Sequence, residues 1–533
     1  MRGFHVDMNV AQYRGDYLEK WLEEFARRGY DTIVWEVENN VQWETCPECV
    51  SPDAFSKREF REMLDLSRHL GLEPIPLFQT IAHCEYVLKH ERYQHLAEIP
   101  GKIDQYCPRN TDLLPFLAEW IEEYLGVFGS VDCFHLGADE AWWMGKCERC
   151  KTYVAEHSLS ELFIEHVNAL SRPLIERGIR PAIWADMVLH HNEALDLLSR
   201  DVVLFDWQYA IHRGAGRVHV WGTGSRYADN VPPEAMERFG RHLFPDGDEP
   251  GRDPETFYTA DFLAEQGFEV VTCPSASSWG DTVFMPRNWF HLANTFDSFA
   301  KGMSPHLHGS VLTSWSVRLH PWELQLACID VPHYLEQDPE GDLHDFQQSF
   351  VAERFGLEDG GSFFSACGLL AKRCLFTDSG TLHVLKSCPP ADSGLVVRTL
   401  DRLAEKGETE REHENCLGRL DEYRRGLLLF EGLAAQASYG SEYLDVWQLA
   451  ARNLVNRAEV SAFLLEHHEQ VRAGEPAPDA DREKGAELLA TLRELKDETR
   501  RFYEATQRPT RAEQTVAWIF GPVEAALSAL VEA

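Results

Sequence analysis

The chain has 533 residues, 44% of them hydrophobic and 26% charged, the balance of a globular protein too long for one ordinary core. Its formal net charge of -36 would repel phosphate backbones and anionic lipid, and no basic patch interrupts it. Nucleic acid and membrane surfaces are therefore excluded as expected partners, and a neutral ligand fits better. No 18-residue apolar run appears, and Met1-Arg2-Gly3-Phe4-His5 leads straight into a strand-like stretch. Neither a membrane span nor a secretion signal is expected, which makes a cytoplasmic location the default. In that setting the thirteen scattered cysteines read as thiols or metal ligands rather than a disulfide framework.

From the N-terminus the pattern alternates strand and helix. Phe4 to Met8 reads as the first strand, and Tyr17, Leu18, Trp21, Leu22 and Phe25 then recur at helical spacing up to Gly29. Thr32 to Glu36 is the second strand. Ser56 and Glu59 form a capping-box signature ahead of Phe60, Met63 and Leu64, Gly71 closes that helix, and Pro74 to Phe78 is the third strand. A helix through Leu113, Leu117, Trp120 and Tyr124 delivers the fourth, in Phe134-His135-Leu136, which gives way to Gly137-Ala138 and then to the adjacent acids Asp139 and Glu140. A helix through Leu162 to Ile175 ends at Gly178. Arg180 to Trp184, Val202 to Trp207, Glu269 to Cys273 and Ser310 to Trp315 complete the strands, with a long Gly- and Pro-rich excursion from Gln208 to Gly267 that holds one or two helices.

Eight βα units imply an α/β chain whose residues 1–339 form a closed (β/α)8 barrel of the TIM type, with a doubly wound open sheet as the alternative. Beyond about residue 340 helical periodicity takes over, as in Leu417, Leu420, Tyr423 and Leu427. Residues 340–533 are expected to form an α-helical domain, a stabilising or homodimer-forming appendage.

In a parallel barrel the strand ends share one mouth, so the residues after each strand are the candidates for chemistry. These are Glu36, Glu38 and Asn39, then Gln79, Thr80 and His83, then Asp139 and Glu140. Trp184 and Asp186, Asp206, Trp207 and Tyr209, Trp279 and Asp281, and Trp315 follow the later strands. Carboxylates set among tryptophan and tyrosine suit a sugar, whose apolar face stacks on rings while its hydroxyls meet acids and amides. At a kinked exit beside Gly137 and Ala138, Asp139 and Glu140 can both lean over one pocket.

The run Phe134-His135-Leu136-Gly137-Ala138-Asp139-Glu140 resembles the His-x-Gly-Gly-Asp-Glu signature of glycoside hydrolase family 20, the β-N-acetylhexosaminidases. Pro76-Leu77-Phe78-Gln79-Thr80-Ile81-Ala82-His83-Cys84-Glu85-Tyr86-Val87-Leu88-Lys89-His90 resembles more particularly the hexosaminidase D branch, and the likeness covers about the first 335 residues. The resemblance implies an exo-acting, retaining enzyme for glycans ending in N-acetylglucosamine or N-acetylgalactosamine, assisted by the substrate's own 2-acetamido group and needing no cofactor for catalysis. Glu140 would be the general acid and Asp139 the residue that holds the acetamido N–H.

This chain departs from the family pattern in several places. Ala138 stands where the family has a second Gly. The sugar-binding Arg after the first strand has no match in Asp7-Met8-Asn9-Val10, leaving Asn9, Glu36 or Glu38 for hydroxyl recognition. The acetamide-binding Tyr is missing near the seventh strand, with Tyr209 as its substitute, and Trp-x-Glu becomes Trp315-Ser316-Val317, with Glu323 as a stand-in. His83, Glu36, Trp184, Trp207, Tyr209, Trp279, Trp315 and Glu323 are the substrate-binding candidates. Two other functions fit the same residues: a retaining glycosidase with Asp281 or Glu323 as covalent nucleophile, and an inactive sugar-binding barrel.

Cys46-Pro47-Glu48-Cys49 and Cys147-Glu148-Arg149-Cys150 are two C-x-x-C pairs in loops after the second and fourth strands. Together they match a four-thiolate structural zinc site made of Cys46, Cys49, Cys147 and Cys150, ahead of free thiols and of a disulfide.

Overall fold

The structure is a computed structural model that describes residues 1–209, 211–245, 247, 253–377, 391–392 and 394–532. Eight parallel strands close on themselves: β1 (Arg2–Asp7), β2 (Thr32–Glu36), β3 (Glu73–Leu77), β4 (Cys133–His135), β5 (Arg180–Trp184), β6 (Val203–Trp207), β7 (Val270–Cys273) and β8 (Gly309–Ser314). Pairing of β1 with both β2 and β8, Phe4 standing opposite Ile33 and Leu312, closes the ring and removes the open-sheet alternative. A short strand, Ser275–Ser277, continues past β7 and also pairs with β8.

Because strand side chains alternate, each strand has an inner and an outer set. Val34, Ile75, Leu77, Cys133, Ala182, Trp184, Val203, Phe205, Val271, Cys273 and Val311 form a small apolar cluster of their own, the barrel interior. In the same parity His5 and Asp7 of β1, Glu36 of β2 and His135 of β4 point inward. The outer set, among them Phe4, Ile33, Trp35, Phe134 and Leu204, joins the surrounding helices in a much larger core.

Helix α1 (Gly15–Arg27), α2 (Lys57–His69), α3 (Leu113–Phe128) and α4 (Leu159–Ile175) follow the first four strands. The capping box is present at α2, where Ser56 Oγ accepts from Glu59 N and the Glu59 carboxylate accepts from Ser56 N, an arrangement that contributes about 1 kcal/mol. Gly29, Gly71 and Gly178 all carry positive φ where those helices were expected to stop. The excursion after β6 holds a hairpin that the sequence reading did not anticipate, Arg217–Val220 with Gly224–Tyr227, then a helix Pro233–Leu243 and α5 (Tyr258–Glu265). Its Trp221 meets Trp207 and His190, so the excursion does reach the mouth of the barrel. Helix α6 (Asn288–Gly302) lies between β7 and β8.

From Leu343 onward every described element is a helix. These helices pack onto α1 and the β8 exit: Arg354 pairs with Glu24 and Asp330, Trp447 Nε1 donates to Glu323 O, and Tyr503 OH donates to Leu319 O. The last helix, Pro509–Val531, is long and apolar enough to cross a membrane by length and composition alone, but half of its most apolar window is buried in the molecule. It packs against the long helix Asp479–Thr506.

Candidate active site

The chain leaves β4 through a tight reversal of backbone direction. Gly137, Ala138 and Glu140 all have φ between 48° and 69°, a region that costs an L-residue with a Cβ about 1 kcal/mol each. A Cβ on Gly137 would overlap Gln79 Oε1 outright, so glycine is required there both for conformation and for space. This curl turns Asp139 and Glu140 toward the same side of the mouth. His83, itself at φ 57°, places Nε2 3.2 Å from Asp139 Oδ2 and 3.4 Å from Glu140 Oε2.

The two acids differ in surroundings. The Asp139 side chain is 9% exposed, and its Oδ1 has no hydrogen-bond partner among the described residues, whereas the Glu140 side chain is 44% exposed. A buried carboxylate oxygen left without a donor costs free energy unless a ligand or water supplies one. Asp186, just past β5, accepts from Glu140 N at 2.9 Å, and burial first and the Asp139 charge second push its carboxyl well above the usual range. That shift favours the neutral form of Asp186, which limits like-charge repulsion in the cluster. In the sequence Asp186 stands out only as a strand-end acid, and nothing there marks Glu140 N as its partner.

Below the acids lies a layer of inward polar groups. Glu36 accepts from Gln79 Nε2 at 2.9 Å and lies 2.9 Å from His5 Nε2, which fixes it in the barrel interior. His135 accepts from Gly137 N through Nδ1, and burial lowers its pKa to about 3, so the ring is neutral. Asp7 accepts from Asn9 N and Ser316 N, and Asn9 Oδ1 accepts from Ser316 Oγ. Asn9 thereby stitches the β1 and β8 exits together.

The expected aromatic lining is assembled from several strand ends. Trp184 is buried against His135 and Trp315, Trp315 lies 4.8 Å from His5, and Tyr209 stacks on Trp207 at 5.1 Å. Tyr209 also approaches Trp315 at 6.4 Å, and Trp207, Trp221, His190 and Trp142 continue the succession of rings to the residue pair after Glu140. Burial, foremost, raises the Tyr209 phenol well above its ordinary value, and the Asp139 charge adds to this, which sets Tyr209 within electrostatic reach of Asp139. Trp142 is 51% exposed beside the acids, as a stacking platform for a ligand would be.

Among the described residues, Trp279 has no ring contact with that succession. Its exposed ring lies over the Arg318 guanidinium at 4.4 Å.

Three placements expected from sequence are corrected. Glu323 is not at the mouth: it is buried outside the barrel, accepting from Tyr17 OH at 2.8 Å and meeting Lys20, both on α1. Asp281 is fully buried and bound by His291 and Arg287, each at 2.9 Å, and by Ser278 N; these partners hold its carboxyl far below the usual range despite its burial, so it cannot serve as a nucleophile facing the pocket. Asp206 points outward from β6, where Thr259 Oγ1 of α5 donates to it at 2.7 Å.

The four-cysteine cage is corrected as well. Cys46 and Cys49 are joined to each other by a disulfide, while Cys147 and Cys150 converge with Cys107 and Glu98. Cys107 belongs to no C-x-x-C pair, and nothing in its local sequence marks it.

Residues 40–219 match the family model described as glycosyl hydrolase family 20, catalytic domain. The chain is 28% identical over 193 residues, 35% of its length, to hexosaminidase D of Bos taurus and to hexosaminidase D of Homo sapiens, of which the match spans 56% and 40%. Among solved structures it is similar to a β-N-acetylhexosaminidase from Bacteroides fragilis NCTC 9343 (16% identity, 62% of this chain and 65% of that one, TM-score 0.43). It is also similar to dispersin B (15% identity, 64% and 99%, TM-score 0.45).

Proposed function

We propose that the barrel, whose residues 40–219 match the glycosyl hydrolase family 20 catalytic-domain model, removes terminal N-acetylhexosamine residues from β-glycosides with retention of configuration. The observation that carries this reading is the placement of Asp139 and Glu140 on one side of the mouth, both within 3.4 Å of His83 Nε2. A retaining enzyme with a covalent carboxylate needs two acids facing each other about 5–5.5 Å apart across the anomeric carbon. The two distant acids that sequence offered for that role, Asp281 and Glu323, are held elsewhere. Neighbouring acids suit a different division of labour, in which the substrate provides its own nucleophile.

In that mechanism the 2-acetamido carbonyl oxygen attacks the anomeric carbon while the bond from that carbon to the leaving oxygen breaks. Glu140, the exposed acid, gives its proton to the leaving oxygen. Asp139, recessed and with an oxygen lacking a donor, accepts the acetamido N–H and balances positive charge on the oxazolinium ring that forms. Glu140, now a carboxylate, takes a proton from the water that opens the ring, and the hemiacetal leaves with its original configuration. An attached nucleophile has an effective concentration on the order of 10⁵ M or more, so the protein needs one acid and one orienting group. Trp142, Trp207 and Tyr209 would stack on or bound the sugar.

Turnover of aryl N-acetyl-β-glucosaminide and aryl N-acetyl-β-galactosaminide tests the proposal. Hydrolysis of either with release of the β-anomer supports it. Sugar binding without turnover at any pH would instead identify an inactive carbohydrate-binding barrel.

A further inference from the structure

Cys107 Sγ lies 3.4 Å from Cys147 Sγ and 3.6 Å from Cys150 Sγ, and Cys150 Sγ lies 3.3 Å from Glu98 Oε2. All four ligand atoms fall within 4.8 Å of one another, three of the residues are buried, and Cys147 is partly covered. A tetrahedral zinc ion with Zn–S of about 2.3 Å and Zn–O of about 2.0 Å requires S···S edges of about 3.8 Å and S···O edges of about 3.5 Å. The three edges given above, of the six, are each within a few tenths of an ångström of those values, and the rest do not exceed 4.8 Å. From this convergence we propose that Glu98, Cys107, Cys147 and Cys150 form a closed, structural zinc site, with a ligand set different from the one the paired C-x-x-C motifs suggest.

The surroundings are those of a metal knuckle. Cys150 N donates to Cys147 Sγ at 3.4 Å, and Cys147 and Cys150 flank the first turn of the helix Glu148–Glu156, which brings both sulfurs to one side. The second oxygen of Glu98 accepts from Lys146 N at 2.7 Å and Cys147 N at 2.8 Å, which leaves Oε2 directed at the sulfurs. Arg149 lies against the Cys107 and Cys147 thiols, a positive charge beside what would be a net-negative centre. Outer hydrogen bonds of this kind orient ligands and tune the charge at a metal. Three thiolates select zinc over magnesium or calcium, and on binding each thiol releases its proton to solvent with no change of oxidation state.

The site would tie two catalytic loops together. Glu98 and Cys107 lie in the loop after β3, which also carries His83, while Cys147 and Cys150 lie in the loop after β4 beyond Glu140. Between them Gln105 accepts from Trp143 N at 2.8 Å and Asp104 accepts from Trp143 Nε1 at 2.6 Å, three residues past the acid. Zinc here would thus position the mouth without touching the sugar.

The test is metal analysis of full-length protein purified in reducing buffer without chelator, with cobalt-substituted protein read by its visible absorption. The expected result is about one zinc per chain, intense sulfur-to-cobalt charge-transfer and tetrahedral d–d bands, and loss of at least about nine-tenths of the metal in Cys107→Ser and in Glu98→Gln combined with Cys147→Ser. The Cys46→Ser, Cys49→Ser double variant should keep its metal. Wild-type protein that takes up neither zinc nor cobalt would overturn the site, and this outcome is read without any variant needing to fold. So would full metal retention in Cys107→Ser, or mass spectrometry that finds Cys107 in a disulfide in the purified wild-type protein.

Discussion

Gly137→Ala probes the turn that aims both acids. At φ 64° the new methyl costs about 1 kcal/mol in backbone conformation alone. Its Cβ would overlap Gln79 Oε1 and sit 2.9 Å from Gln79 Cδ and 3.2 Å from Gln79 Cα. The Gln79 amide must therefore move, and it gives up its buried 2.9 Å hydrogen bond to the Glu36 carboxylate, worth about 2 kcal/mol. The expected total is about 3 kcal/mol, read as a shift in the urea midpoint followed by tryptophan fluorescence, with at least a tenfold fall in kcat/KM as the acids are displaced. In a Gln79→Ala background the clash with the amide is absent, and the same substitution should cost only about 1 kcal/mol, a coupling of about 2 kcal/mol. An equal cost in both backgrounds would refute the reasoning, because the penalty would then not arise from the Gly137–Gln79 approach.

Glu140→Gln should lower kcat by about 10²–10⁴ on glycosides with poor leaving groups and far less on activated aryl ones, measured across a series of leaving-group pKa values. Asp139→Asn should lower kcat by about 10² or more with little change in the binding of product sugar, measured by calorimetry alongside kinetics. Burial and the Asp139 charge push Asp186 toward its neutral form, so Asp186→Asn, which keeps an acceptor oxygen, should stay within about threefold of wild-type activity at neutral pH. Asp186→Ala, which removes the acceptor of Glu140 N, should lose at least about tenfold. Burial raises Asp206 to about 7 in the folded protein, so its ionisation opposes folding: no penalty exists below the unfolded value near 4, and it grows as pH rises to 7. Asp206→Asn should therefore gain stability over wild type between pH 4 and pH 8, by up to about 4 kcal/mol, and thermal midpoints that differ equally at both pH values would contradict this.

The strands β2 and β5 coincide with the runs Thr32 to Glu36 and Arg180 to Trp184 because short β-branched and aromatic stretches bracketed by helix stops have few other ways to be buried. Closure into a ring was implied by the count of eight units, but the pairing of β1 with β8 spans the whole barrel and no local pattern encodes it. Strand β4 ends at His135, earlier than its apolar run, because Gly137 and Ala138 take positive φ and interrupt the alternation. The acids at that turn were legible because two small residues before two carboxylates have a strong local meaning. Glu323 was misplaced because Leu319 at φ 59° redirects the chain after β8 toward α1, a turn that a leucine does not announce. Asp281 looked available because its neutralising partners, Arg287 and His291, enter from the start of α6, six and ten residues away. The second C-x-x-C motif supplies two members of the proposed cage, Cys147 and Cys150, while Glu98 and Cys107 reach it only through tertiary folding.

Replacing the N-acetyl group of an aryl glycoside by mono-, di- and trifluoroacetyl weakens the amide oxygen as a nucleophile while leaving the leaving group untouched, and kcat/KM across that series tests the central claim most directly. Participation of the amide in bond formation requires a steep, monotonic fall in rate with each fluorine. A flat series, with all four substrates cleaved at similar rates, would mean that the anomeric carbon is attacked by some other group.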